Sequence, residues 1–147
     1  MSQAGSTFEK KLMFDRVGLS AFLDEAFPVL ARPAIGEVVS VQMDHVRMQL
    51  EPRQEMTRPG GILSGPTLMA LIDGASYAAV LAHVGPVAMA VTYNLNVTFL
   101  RAGRFELVVA DARLLRLGRR LATIDVRLWQ GSEDRLVAQS TVGYAIP

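Results

Sequence analysis

From Pro66 to Ala82 the chain holds a helical stretch with a single charge, Asp73, among Leu68, Met69, Leu71, Ile72, Ala75 and Ala78. A helix with no continuous polar face needs cover on most sides, so the remaining chain has to wrap around it. Its limits are legible. Arg58-Pro59-Gly60-Gly61 signals a backbone bend, and Ser64 or Gly65 stands near the N-cap with Pro66 suited to the first turn. The helix should run to about His83, where Gly85-Pro86 stops it. Asp73 must then be paired, neutralised or used, because burying a bare carboxylate is costly.

What could do the wrapping is strand. From Gly36 the apolar period falls to two: Val39, Val41 and Met43, then Val46, Met48 and Leu50, with Asp44-His45 as the expected turn and His45 an exposed or edge residue. Beyond the helix, Val87–Phe99 alternates over a long run and is turned by Arg101-Ala102-Gly103. Phe105–Leu115, Leu121–Trp129 and Leu136–Ile146 read as three more strands separated by glycine-containing turns. Residues Ser6–Phe27 carry Phe8, Leu12, Phe14, Val17, Leu19, Phe22, Leu23 and Phe27 at loosely helical spacing before Pro28, which predicts one or two short amphipathic helices capping the core. Strands, one apolar helix, then four strands predict an α+β protein whose antiparallel sheet curls around a central helix, the hotdog arrangement. The expected organisation is one domain over 1–147 with an N-terminal helical extension at about 6–30.

Composition narrows the chemistry. With 147 residues and no Cys, the chain can bury a core without disulfides, and two separated His make a His-based metal site improbable on spacing. A net charge of +1 gives no electrostatic case for nucleic acid. Met1–Phe14 lacks a signal-type apolar run, and no later segment reaches the ~18 uncharged apolar residues of a membrane span, so a soluble, cytoplasmic protein is expected. Half of all residues are hydrophobic and 20% are charged. That surplus predicts a subunit interface.

The segment Ser64-Gly65-Pro66, Thr67-Leu68-Met69-Ala70, Leu71, Ile72, Asp73 keeps the spacing of a known motif: His-Gly-Gly, four residues, an apolar residue, one more, Asp. With Thr92–Ala102, Leu117–Ala122 and Val137–Thr141 following in order, the chain resembles the hotdog-fold acyl-CoA thioesterases, in particular the phenylacetyl-CoA thioesterase-like branch. The resemblance covers roughly residues 36–147. Three positions depart from the commoner pattern: Ser64 stands for the histidine, Pro66 for the second glycine, and Arg58 for an upstream asparagine.

The resemblance implies hydrolysis of a small or medium acyl-CoA at a site shared between subunits of a homodimer or dimer of dimers, with no cofactor. A non-catalytic acyl-CoA or fatty-acyl binding module is the alternative. The Gly65 N–H, at the positive end of the helix, would polarise the thioester carbonyl, alone or helped by the Thr67 N–H. Asp73 would be general base or nucleophile. Since Asp73 lies about 12 Å of helix rise beyond Gly65, side-by-side antiparallel helices of a dimer would have to bring the two together. Ser76 and Tyr77, one turn further, could orient the acid or line an acyl pocket. Ser64 reads as an N-cap or a substrate contact, Met69 as a flank of the acyl chain or core. Arg58, Arg101 and Arg119 suit the phosphates of CoA, or are solvated loop arginines.

Overall fold

The computed structural model describes residues 10–147. Helix α1 (Arg16–Ala26) opens with Asp15 as N-cap, its carboxylate accepting from the Gly18 N–H at 2.7 Å. It inserts Leu19 and Leu23, both fully buried, into the core. The expected helical stretch over Ser6–Phe27 is thus one helix among the described residues, and Ser6–Glu9 lie outside them. A 3-10 turn at Arg32–Ile35 leads to β1 (Glu37–Gln42) and β2 (His45–Leu50), then a small hairpin of β3 (Thr57–Arg58) and β4 (Ile62–Leu63). Gly60 and Gly61 take φ of 100° and 73° at its tip, a region that L side chains avoid.

Central helix α2 (Gly65–Val84) is followed by β5 (Val91–Phe99), β6 (Val108–Leu117), β7 (Leu121–Trp129) and β8 (Leu136–Ala145). The six long strands form one antiparallel sheet in the order β1-β2-β6-β7-β8-β5, which curls around α2. This is the hotdog fold. The alternation in β7 explains the cover: Ala122, Ile124, Val126 and Leu128 face the helix, while Thr123, Asp125 and Arg127 face out. Leu71, Ile72 and Leu81 are fully buried on α2, each contributing roughly 2 kcal/mol of transfer free energy. Ala75, Ala78, Ala79 and Ala82 between them let sheet and helix approach closely. By length and composition α2 could cross a membrane, yet 72% of its apolar window is buried within the protein. The sheet supplies the apolar surroundings.

Local expectations shift in four places. The first turn is Met43-Asp44, with Asp44 at φ 64°, and His45 begins β2 with its ring bonded to Asp111 at 2.8 Å. A bulge between Val38 and Ser40 turns Val38 inward and leaves Val39 exposed, reversing the phase that plain alternation predicts. Residues 87–90 form a hydrogen-bonded loop, so β5 starts at Val91 rather than Val87. Finally, β5 pairs with β8 at the sheet edge, so Arg101-Ala102-Gly103 opens a crossing connection to β6 and is no hairpin.

Candidate active site

The first turn of α2 has few donors to offer. Ser64 is the N-cap, and its Oγ accepts from the Thr67 N–H at 3.2 Å and shares a 2.8 Å bond with the Thr67 hydroxyl, which in turn donates to Met56 O at 2.9 Å. Pro66 has no N–H. The Gly65 N–H is therefore the donor left without a helical partner at the positive end of the dipole. The Thr67 N–H, expected as a possible helper, is occupied by the cap. Gly65 opens onto a crevice of about 440 Å³ lined by Arg58, Leu68, Phe99, Arg101 and Gly103. Both arginines are exposed there, Arg58 reaching Pro59 O at 3.3 Å and Arg101 reaching Leu136 O at 3.0 Å.

Asp73 faces a second crevice, of about 580 Å³. It is half-buried, and its Oδ1 accepts from the Thr92 hydroxyl at 2.5 Å and the Tyr144 hydroxyl at 3.1 Å. No hydrogen bond among the described residues reaches Oδ2. Burial, then the Asp73 charge, push the Tyr144 hydroxyl well above its ordinary pKa, so it stays protonated and remains a donor. Burial also raises Tyr77. The two oxygens of the carboxylate thus have distinct surroundings: Oδ1 is anchored by two hydroxyls, and Oδ2 has no hydrogen bond from the described residues.

Tyr77 lines this crevice with its hydroxyl on Ala88 O at 3.0 Å, which pins the 87–90 loop across the mouth. Gly74 follows Asp73 because a Cβ there would lie 2.4 Å from Ile35 Cβ. Its absence lets the 3-10 turn pack directly on α2.

Other residues singled out by sequence lie elsewhere. Ser76 is fully buried and donates to Ile72 O of its own helix at 2.8 Å, so it neither touches Asp73 nor lines the crevice. Met69 is 41% exposed on a stripe with Pro66, Ala70 and Asp73 that none of the described residues covers fully. Arg119 sits exposed in the β6–β7 turn, outside both crevices. Conversely, Thr92, Tyr144 and Phe27 belong to the Asp73 crevice although no motif in the sequence marks them for it. Thr92 stands in even phase with the outward Asn94 and Asn96, but a bulge between Thr92 and Asn94 turns it inward.

A family model described as the thioesterase superfamily matches residues 60–137. The chain belongs to this superfamily. Among solved structures similar to this thioesterase-superfamily chain is a candidate thioesterase of Silicibacter sp. TM1040, 40% identical, with 93% of this chain and 94% of that one covered and a TM-score of 0.83. A candidate thioesterase of Ralstonia eutropha JMP134, described as a phenylacetic acid degradation-related protein, is 27% identical over 87% of this chain and 98% of that one, TM-score 0.76. A candidate esterase of Thermoplasma acidophilum is 26% identical over 75% of this chain and 82% of its own length. The matched range begins at the Gly60-Gly61 bend and contains both Gly65 and Asp73, whereas α1 and Tyr144 fall outside it.

Proposed function

We propose that this thioesterase-superfamily protein hydrolyses a small or medium acyl-CoA thioester at a site built by two copies of the chain. The observation that carries the reading is the separation of the two chemical halves. Gly65 and Asp73 lie on one helix, eight residues apart, and open onto different crevices. The partly exposed stripe of Pro66, Met69, Ala70 and Asp73 runs between them. Beside that stripe, β5 is the sheet edge and exposes Val91, Tyr93 and Phe99. An antiparallel second copy seated on this apolar surface brings Asp73 of the partner subunit towards Gly65.

In that arrangement the thioester oxygen accepts from the Gly65 N–H, and Arg58 and Arg101 flank the entry for the phosphates of CoA. Asp73 Oδ2 takes a proton from water as the water oxygen adds to the carbonyl carbon. Collapse of the tetrahedral intermediate breaks the C–S bond, and the proton passes from Asp73 to the leaving sulfur. Direct attack by Oδ2 on the carbonyl carbon, breaking the C–S bond and expelling the CoA thiolate, uses the same geometry and gives an anhydride. Water then cleaves the anhydride to the free acid and the Asp73 carboxylate, the thiolate taking up the proton released. No cofactor enters either route. The cysteine-free chain suits a reducing cytoplasm.

Thiol release from an acyl-CoA panel tests the reading. Asp73→Asn should lower kcat by roughly 10²–10⁴-fold with the fold retained, and equal rates would remove Asp73 from the chemistry. One observation favours a second reading, a binding module without turnover: with Pro66 lacking a donor and the Thr67 N–H capped, the oxyanion would have a single backbone donor. Saturable binding of a non-hydrolysable thioether, with no product in single-turnover assays across the panel, would establish that alternative.

A further inference from the structure

We infer that Phe27, at the end of α1, is the wall that sets how long an acyl chain the Asp73 crevice accepts. This rests on the acyl-CoA reading above and assigns a specificity residue lying ahead of the residues matched by the family model. From the carboxylate, a row of aromatic rings leads away along the crevice. The Tyr144 hydroxyl bonds Asp73, the Tyr144 and Tyr77 rings lie 6.3 Å apart between centroids, and Phe27 meets Tyr77 edge-on at 5.5 Å and 90°. All four residues line the same crevice. An acyl tail whose carbonyl is held at Asp73 therefore runs past Tyr144 and Tyr77 and ends against Phe27.

The wall is held from both sides. Leu19 and Leu23 anchor α1 in the core, and the Phe27 N–H donates to Leu23 O at 3.1 Å. After Pro28 the chain turns through N–H bonds from Ala31 and Arg32 to Pro28 O. Arg32 is buried and ties this turn to both neighbours: Nε to Asp24 of α1 at 2.9 Å, Nη1 to Gly36 O, and Nη2 to Glu37 of β1 at 3.5 Å. Phe27 is thus a fixed partition rather than a loose side chain. The exposed Pro28-Val29-Leu30 segment follows it directly.

The test is a chain-length profile of kcat/KM over straight-chain acyl-CoA substrates, with the Kd of matching thioether analogues measured by calorimetry. Phe27→Ala should move the optimum of both profiles to longer chains, each added methylene then gaining about fourfold where the native protein gains nothing. Phe27→Trp, which keeps the aromatic contact, should move it to shorter ones. Unchanged profiles in either folded variant overturn the inference. Analogue binding that shifts with Phe27 in a protein without turnover would refute hydrolysis and leave the wall standing, whereas hydrolysis with a Phe27-independent profile would do the reverse. Absence of both binding and turnover in the native protein would overturn both.

Discussion

The Asp73 side chain receives two hydroxyl donors on one oxygen, and this unequal arrangement is where single atoms should matter most. A donor to a carboxylate typically contributes ~1.5–3 kcal/mol, and here it also fixes the direction in which Oδ2 points. Tyr144→Phe removes one hydroxyl and keeps the ring that lines the crevice. We expect kcat to fall roughly tenfold with KM within about twofold, the pattern of a positioning residue whose loss affects the reaction more than binding. Thr92→Val should behave in the same direction. Because the two hydroxyls share an acceptor, the double variant should fall short of the product of the single effects. A proportional loss of kcat/KM through KM alone would place Tyr144 in substrate binding instead.

At the scale of elements, one contact ties neighbouring strands together and another sets how closely the 3-10 turn meets α2. Asp111 on β6 is buried on the outer sheet face and accepts from His45 and Arg47 of β2 and from Trp129 of β7, with Arg47 also 5.4 Å above the Trp129 ring. Burial pushes its carboxyl up, but the bonds from Arg47, Trp129 and His45 and the Arg47 charge outweigh it, leaving a value of about 2. A depressed folded value means the stabilisation is complete above the ordinary carboxylate pKa near ~3.9 and is lost as pH falls from there towards 2. The unfolding free energy from denaturant titrations should drop over that window by about 2 kcal/mol, and Asp111→Asn should flatten that part of the profile while lowering stability at pH 7. The second contact is Gly74 against Ile35. Gly74→Ala forces a methyl to 2.4 Å from a β-branched carbon, so despite better helix propensity it should destabilise by about 1–3 kcal/mol in denaturant titrations. An Ala variant as stable as the native protein would mean that the 3-10 turn can withdraw.

For the whole molecule, a site shared by two subunits makes a prediction that no single-chain site can meet. Asp73→Asn spoils one half of each site, and Gly65→Leu, which places a side chain beside Phe99 in the other crevice, spoils the other. Mixed after unfolding and refolding together, two inactive variants should regain about a quarter of native activity, since half the dimers are mixed and each holds one intact site. No recovery, with mixed dimers demonstrated by mass spectrometry, would place each site within one chain. The fold behind this was largely legible in the linear chain. A 20-residue helix with one charge has to be enclosed, and the period-two runs at β2, β5, β7 and β8 supply the enclosure, because alternation and helical periodicity are local consequences of backbone geometry. The Ser64 cap, the Gly65 donor and the isolation of Asp73 were legible for the same reason: each depends on neighbours within a turn of helix. Thr92 and Tyr144 were not, since a bulge reverses the strand phase at one and only sheet pairing across 71 residues brings the other to Asp73. In the sequence Phe27 belongs to a segment that caps the core, and only the docking of α1 beside Tyr77 puts it in the crevice. Sequence alone therefore determined which helix had to be buried and which carboxylate was out of place in it. Tertiary structure alone decided what holds that carboxylate and what bounds the space around it, because those contacts join segments distant in the chain.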